Sequence, residues 1–206
     1  TAIDRFKDFP DLHGMVYTVG NEQDYHFKVL FLILQKLGYT WANNCFHLSY
    51  GMVDLPSGKM KSREGTVVDA DDLMAEVIEK AKEMTQERGH LEGLDNAARE
   101  QLYTQIGLGG LKYYLLKVDP KKRMLFNPEE SIDLTGNTGP FLQYAHARIS
   151  TLLEKAAYEQ TTLSLAITMR PEEKEIIKQL ALFGTTLEEA AKGYSPALLA
   201  NYSYEL

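Results

Sequence analysis

The strongest constraint on the fold is a strand–helix–strand pattern in residues 15–53. Residues 15–19 (Met-Val-Tyr-Thr-Val) lie between two glycines and are mostly β-branched or aromatic, which is typical of a buried strand. The next apolar residues recur three and four positions apart, which places them on one face of a helix; they are Phe27, Leu30, Phe31, Leu34 and Leu37. Residues 46–53 alternate in part and predict a second strand. Two strands joined by a helix form a crossover unit, so we expect a parallel sheet. Asn21 is expected to cap the helix and Gly38 to end it.

The chain from Asp69 to residue 126 predicts two long helices and a short strand. Asp69 and Asp72 resemble a capping box, and the first helix is expected to end near Gly89. Its apolar stripe consists of Met74, Val77, Ile78, Ala81 and Met84. Residues 95–117 predict the second helix, which contains Gly107, Gly109 and Gly110. Each interior glycine costs about 1 kcal/mol relative to alanine, so this cluster indicates a kink or a close packing of backbones. Residues 124–126 predict the strand.

From residue 138 onward the pattern predicts helices alone. Pro140, Pro171 and Pro196 each suit the first turn of a helix, and Ser195 is expected to cap the last one. Two apolar stripes are expected to be buried. They are Leu142, Ala145, Ile149, Leu152, Leu153 and Ala156 on the first helix, and Ile176, Ile177, Leu180 and Phe183 on the second.

Charge and cysteine usage narrow the class of protein. The net charge of −7 argues against indiscriminate coating of nucleic acid, although a local basic patch on an acidic body can still bind RNA. Cys45 is the only cysteine, so an intramolecular disulfide or a multi-cysteine metal site is excluded. We expect a buried, inert thiol there. No apolar run approaches the roughly 20 residues that span a bilayer, and the acidic start is unlike a signal peptide. A cytoplasmic protein that binds no membrane is expected.

A cationic loop follows the second strand. Between Gly58 and Gly65, Lys59, Lys61 and Arg63 occupy alternate positions. The glycines allow the backbone to bend, and lysine and arginine bind phosphate oxygens strongly. The loop is therefore a candidate triphosphate site. A solvated charged turn is the alternative.

The end of the first strand is a second candidate site. In open α/β sheets, ligands bind beyond the carboxyl ends of the strands, and the following helix start offers free backbone N–H groups. Gln23 has both a donor and an acceptor and can read a polar substrate group. The alternative is that Asn21 and Gln23 only cap the helix. His26 is interpreted as a packed residue, and His47 either faces a cleft or packs in the core or at the sheet edge. No Ser-His-Asp set and no histidine pair with metal-ligand spacing is recognisable in the sequence.

Several sequence blocks resemble those of class I arginyl-tRNA synthetases, most closely the bacterial ones. They are Val-Gly-Asn-Glu-Gln (19–23) with His26 and Phe27, Ser-Tyr-Gly-Met-Val (49–53), Lys-Met-Lys-Ser-Arg-Glu-Gly (59–65), Gly-Leu-Gly-Gly-Leu-Lys-Tyr (107–113), Gly-Asn-Thr-Gly-Pro (136–140) and Tyr-Ala-His-Ala-Arg (144–148). The cationic loop is similar to the second class I signature, the mobile Lys-Met-Ser-Lys-Ser loop. The blocks occur in the family's order over nearly the whole chain.

The resemblance implies an α/β plus all-α fold. Residues 1–68 would be the C-terminal part of a Rossmann-type parallel-sheet catalytic domain. Residues 69–137 would be a helical connector that contacts the tRNA stem. Residues 138–206 would begin a helical-bundle anticodon-binding domain. The first class I signature, which resembles His-Ile-Gly-His, does not occur in the sequence. We therefore expect a fragment that is inactive by itself.

The resemblance also implies substrates and residue roles. The parent enzyme would activate arginine with ATP and transfer it to tRNA(Arg). The implied ATP-binding loop is Lys59, Met60, Lys61, Ser62 and Arg63. Lys59, Lys61 and Arg63 would be catalytic. Ser62 stands where the general signature has its second lysine, so either Lys61 or Arg63 would support the transition state in place of that lysine. Gln23 would bind substrate in the arginine and adenosine pocket, and Gly51, Met52 and Val53 would pack against adenine.

Mg²⁺ is expected to accompany ATP, with no other tightly bound cofactor and no metal held by the protein alone. The implied partners are arginine, ATP and tRNA(Arg), and the implied state is a monomer. Two other readings stay open at this point: a non-catalytic, synthetase-like module that binds RNA or protein, and an unrelated α/β nucleotidyltransferase.

Overall fold

The chain divides into two compact units. A computed structural model describes residues 1–55, 69–89, 91–156 and 168–206. The first unit contains residues 1–53 and 120–124, and the second contains residues 54–119 and 125–206. The predicted loop residues Lys59, Met60, Lys61, Ser62 and Arg63 lie outside the described residues.

A parallel strand pair organises the first unit. Strands β1 (Met15–Gly20) and β2 (Cys45–Tyr50) pair in parallel, with Met15 opposite Cys45 and Gly20 opposite Tyr50. They are connected by a 3-10 turn (Asn21–Gln23), helix α2 (Asp24–Lys36) and a second 3-10 turn (Thr40–Asn44). The predicted crossover unit and parallel sheet are therefore confirmed.

The N-terminal cap of α2 differs from the prediction, whereas its C-terminal end agrees with it. Asn21 does not cap the helix, because Gly20 and Gln23 occupy the N-cap positions of the 3-10 turn and of α2, without a side-chain capping bond. Gly38 follows the helix with φ +88°, a conformation that favours glycine, so the predicted end is confirmed.

Aromatic rings pack α2 against the strands. The Tyr17 ring lies 5.1 Å from Phe27 and 5.9 Å from Phe31, centroid to centroid. Helix α1 (Ala2–Asp8) attaches through Phe6, which stacks on Trp41 at 4.1 Å. Of the predicted α2 stripe, Leu37 is exposed, because it lies beyond the last helical residue.

The second predicted strand is interrupted. β2 ends at Tyr50, and the chain resumes as β3 (Val53–Asp54), which pairs with β4 (Met124–Leu125). At the interruption, Gly51 donates its N–H to the Pro120 carbonyl at 2.7 Å. A Cβ at Gly51 would lie 2.4 Å from the carbonyl oxygen of Lys122, so this close approach requires glycine.

Replacing Gly51 with alanine is expected to lower the free energy of unfolding by about 1–3 kcal/mol, since the added methyl group meets backbone. Gly184 is the matched control: it lies within a helix, and a Cβ there meets no atom within 4 Å. Gly184→Ala should raise the free energy of unfolding by about 0.4–1 kcal/mol. Guanidinium denaturation of both variants tests this, and equal effects would contradict the structure.

Helices α3 (Ala70–Arg88) and α4 (Asn96–Leu116) form the centre of the second unit. Asp69 caps α3 by accepting from the Asp71 N–H at 2.9 Å, and Gly89 ends it with φ +73°. Asp95 caps α4 by accepting from the Ala98 N–H at 2.8 Å. Both predicted helices are therefore confirmed.

The glycines of α4 mark close backbone contacts. A Cβ at Gly107 would lie 2.8 Å from the Ile78 Cα of α3, and one at Gly110 would lie 2.6 Å from the Ser131 carbonyl oxygen. Ser131 ends the short helix α5 (Pro128–Ser131). Because α4 is continuous through these glycines, the cluster reflects close packing.

The described part of the second unit contains three further helices: α6 (Gly139–Lys155), α7 (Pro171–Gly193) and α8 (Pro196–Glu205). Each carries a proline in its first turn, as predicted. Ser195 occupies the N-cap position of α8 but makes no side-chain capping bond.

The predicted burial of the two C-terminal stripes is wrong. Of the predicted α6 stripe, only Leu142 and Ala145 are half-buried, and Leu152 is 67% exposed. The predicted stripe of α7 is exposed throughout: Ile176, Ile177, Leu180 and Phe183. Periodicity identifies the apolar face of a helix, whereas burial also needs a neighbouring element against that face. Across the described part of the chain, the helices are too short or too polar to cross a membrane.

Candidate functional site

The carboxyl end of β1 leads into an exposed turn. Gly20 is buried, and the three residues of the 3-10 turn (Asn21–Gln23) are exposed. A Cβ at Gly20 would lie 2.5 Å from the Glu22 carboxylate, so glycine lets the Glu22 side chain fold back over the strand end. Gln23 makes no side-chain capping bond, and its amide lies at the surface of the turn.

His47 lies beside this turn, on the α2 side of β2. Its Nε2 is 3.0 Å from the Val19 carbonyl oxygen, and its Nδ1 is 3.2 Å from Asp24 Oδ1. The Phe27 ring stacks on the imidazole at 4.4 Å, and the side chain is 9% exposed. The sequence left a cleft or a packed position open for His47, and the structure shows the packed one. His26, predicted to be packed, is exposed at the edge of the Phe27 ring.

The end of β2 carries the predicted adenine-packing residues. One side of Gly51 faces the backbone of Lys122, Met52 is 45% exposed, and Val53 is half-buried. The Met52 carbonyl accepts from the Met124 N–H at 3.1 Å. Because β1 and β2 are parallel and in register, Gln23 and these residues follow the same edge of the sheet.

Ser49 precedes this edge and was not singled out from the sequence. It is 5% exposed, and among the described residues its hydroxyl is the one buried side-chain polar atom that lacks a hydrogen-bond partner. Ser49 and His47 alternate along β2, so they face the same side of the sheet. In the sequence, the polar residues His47 and Ser49 alternate with their neighbours within residues 45–50. This pattern was the signal that could have identified both residues as lying on one face of the sheet.

Cys45 lies at the opposite end of β2 from the candidate site. Its thiol is half-buried, and burial raises its pKa. A thiol that ionises less readily is less reactive. This agrees with the inert thiol that the sequence predicts. Groups of three or more metal-ligating side chains do not occur in residues 1–55, 69–89, 91–156 and 168–206.

A polar junction joins α4 to α8 in the second unit. The Tyr113 hydroxyl lies 2.9 Å from the Ala200 carbonyl oxygen and also contacts Asn137 Oδ1. The Asn201 amide donates to the Lys117 carbonyl at 3.0 Å, and Lys117 Nζ donates to the Asn137 carbonyl at 2.7 Å. Burial raises the pKa of Tyr113 and lowers that of Lys117. The sequence blocks 107–113 and 136–140 therefore meet at this junction.

Replacing Tyr113 with phenylalanine is expected to lower the free energy of unfolding by about 1–3 kcal/mol, because part-buried polar groups lose their partner. Tyr25→Phe is the matched control, since Tyr25 is 79% exposed and should change stability by less than about 0.5 kcal/mol. Urea denaturation measures both. Equal stability of Tyr113→Phe and the parent would show that the junction contributes nothing.

The geometry of the first unit defines a class of protein. A parallel strand–helix–strand unit with polar groups beyond its strand ends is an α/β arrangement of the kind that binds nucleotides at that edge. Residues 1–127 match the family described as tRNA synthetases class I (R), catalytic domain, and residues 142–206 match the DALR anticodon binding domain. The chain belongs to the class I arginyl-tRNA synthetase family, as part of its catalytic domain followed by its anticodon-binding domain.

Individual relatives agree with this assignment. The chain is 60% identical to an arginine–tRNA ligase of Flavobacterium psychrophilum over 206 residues, which is 100% of this chain and 34% of that protein. It is 53% identical to the ligase of Parabacteroides distasonis over 212 residues, covering 100% of this chain and 35% of that one. A solved structure of the Thermus thermophilus arginyl-tRNA synthetase aligns with a TM-score of 0.81 at 28% identity, covering 94% of this chain and 32% of that one. The chain thus spans about a third of the length of the curated relatives that it matches.

Proposed function

We propose that these 206 residues work as a segment of an arginine–tRNA ligase. In the first step the arginine carboxylate attacks the α-phosphate of ATP, which forms arginyl-adenylate and releases pyrophosphate. In the second, a ribose hydroxyl at the tRNA end attacks the adenylate, which forms arginyl-tRNA and releases AMP. The observation that supports this most strongly is the match of residues 1–127 to the class I (R) catalytic domain.

The strand ends are proposed to bind arginine and the adenosine part of ATP. Gln23 presents an exposed side chain at the N-cap of α2, and the N-terminus of a helix favours polar and anionic groups. Met52 offers exposed apolar surface on the same edge of the sheet, which suits an adenine ring, with Gly51 and Val53 on either side. The burial of one side of Gly51 leaves Met52 as the main adenine contact in this proposal.

The ATP phosphates are proposed to be bound by the loop Lys59, Met60, Lys61, Ser62 and Arg63. Little covalent chemistry falls to the protein in this reaction, so positioning and charge stabilisation supply the rate enhancement. Lys59 is proposed to offset the charge that builds on the leaving pyrophosphate, with Lys61 or Arg63 in the role of the second cation. Mg²⁺ is proposed to enter bound to the ATP phosphates.

The helical part is proposed to bind tRNA(Arg). We propose a catalytic part at residues 1–68, a connector at residues 69–137 and the start of the anticodon-binding domain at residues 138–206. The gap between the two family matches, residues 128 to 141, supports the second of these boundaries. A monomer in the cytoplasm is also proposed. Neither family match favours a non-catalytic binding module or an unrelated nucleotidyltransferase.

Isothermal titration of a full-length ligase that contains this segment tests the substrate. Arginine is expected to bind saturably, whereas citrulline, which has the same shape without the charge, should bind at least about tenfold more weakly, because charge-assisted contacts to the guanidinium are lost. Absence of arginine binding would refute the proposed substrate.

A further inference from the structure

We infer that His47 is a positioning residue that fixes the turn between β1 and α2 and thereby places Gln23 relative to the end of β2. The inference rests on the proposed function, in which this turn binds substrate. The His47 side chain is only 9% exposed, and no role in the proposed chemistry has been assigned to it.

The two hydrogen-bonding contacts of His47 bracket the turn. Val19, whose carbonyl lies 3.0 Å from Nε2, is the last residue before Gly20, and Asp24, whose carboxylate lies 3.2 Å from Nδ1, is the first residue after Gln23. Residues 20–23 therefore lie between two contacts to one ring. A displacement of the turn stretches at least one of them.

The imidazole suits this task chemically. A carbonyl oxygen and a carboxylate both accept hydrogen bonds, and either nitrogen of an imidazole ring can carry the donated hydrogen. The two nitrogens of a rigid ring are at a fixed distance from each other, which fixes the spacing of Val19 and Asp24. Stacking of Phe27 at 4.4 Å holds the plane of the ring.

The position of His47 in β2 connects the turn to the second strand end. His47 lies three residues before Tyr50, the last residue of β2, and pairs in register with Tyr17. The contacts to Val19 and Asp24 thus set the distance between the β1–α2 turn and the strand that leads to Met52. In the proposed site these two segments bind the same adenylate.

The test uses a full-length ligase that contains this segment, with His47→Ala, His47→Gln and His47→Asn. Glutamine places a donor near the Nε2 position and asparagine places one near Nδ1, so each restores one contact. We expect His47→Ala to reduce kcat/KM for arginine by roughly ten- to a hundredfold, the cost of small misplacement of a substrate-binding group. Glutamine or asparagine should recover most of that loss.

Two further measurements separate positioning from simple destabilisation. Leu34→Ala is the control, because Leu34 is 5% exposed in the same helix and contributes to stability away from the turn; it should leave kcat/KM unchanged below its melting temperature. Hydrogen exchange at residues 20–24 should be faster in His47→Ala than in Leu34→Ala.

The outcomes are distinct. The inference is overturned if the parent ligase is active and His47→Ala has the same kcat/KM as the parent. It is also overturned if Leu34→Ala loses as much kcat/KM as His47→Ala does. A parent that does not use arginine refutes the proposed function instead, and the exchange rates at residues 20–24 then decide alone whether His47 holds the turn. If His47→Ala does not fold, His47→Gln and His47→Asn are compared with the parent instead. The same two quantities are measured: kcat/KM and hydrogen exchange at residues 20–24.

Discussion

Replacing Lys59 with alanine in a full-length ligase that contains this segment is expected to slow arginyl-adenylate formation by roughly ten- to a thousandfold. In the proposed mechanism, the lysine stabilises negative charge that develops only as pyrophosphate leaves. An interaction that exists mainly in the transition state raises the rate without tightening ground-state binding. Arginine affinity should therefore be nearly unchanged. Single-turnover activation kinetics measure the rate, and titration measures the affinity.

Two variants control for charge and for general damage. Lys59→Arg keeps the positive charge and should recover part of the rate. Lys178→Ala removes an exposed lysine of α7 that forms a surface ion pair with Glu175, and it should leave activation unchanged. A normal activation rate in Lys59→Ala would remove the loop from the proposed mechanism.

The 206-residue chain by itself is expected to show no arginine-dependent exchange of pyrophosphate into ATP. Its sequence lacks a block that resembles the first class I signature, and it spans about a third of the relatives. Effective catalysis needs groups from both halves of the site to be held around one substrate, and loss of half of them removes most of the rate enhancement.

The matched control is the full-length ligase assayed with the same ATP, arginine and tRNA. Circular dichroism of the short chain should first show that it is folded. Arginine-dependent exchange by the folded short chain would contradict this expectation, because the 206 residues would then be sufficient for activation.

Local patterns predicted most of the secondary structure. The strand–helix–strand unit, the cap at Asp69, and the proline starts of α6, α7 and α8 follow from residues close in sequence. The cap at Asn21 was wrong because a 3-10 turn precedes α2, and that choice depends on how the turn packs on β2. The break of the second strand at Gly51 was missed because it depends on residues 120–124, far away in the sequence.

The candidate site could be predicted only in part. Strand order and parallel pairing place Gln23 and Met52 on one edge, and the sequence was sufficient for that step. His47 contacts Val19 and Asp24, and Val19 is 28 residues away from it in the sequence. Contacts between residues so far apart in the sequence are decided by tertiary packing. The exposure of Leu152 and of the α7 stripe was likewise beyond the sequence pattern, which gives the face of a helix and says nothing of what lies against it.

The central claim is that the edge formed by Gln23 and Met52, with the cationic loop, activates arginine. It is tested most directly by pyrophosphate exchange with the full-length ligase, tRNA(Arg) present, and each amino acid supplied in turn. Pyrophosphate exchange is expected to depend on arginine, and Lys59→Ala is expected to reduce it by a factor of about ten or more. Exchange driven by another amino acid, or arginine-dependent exchange at the full rate in Lys59→Ala, would contradict it.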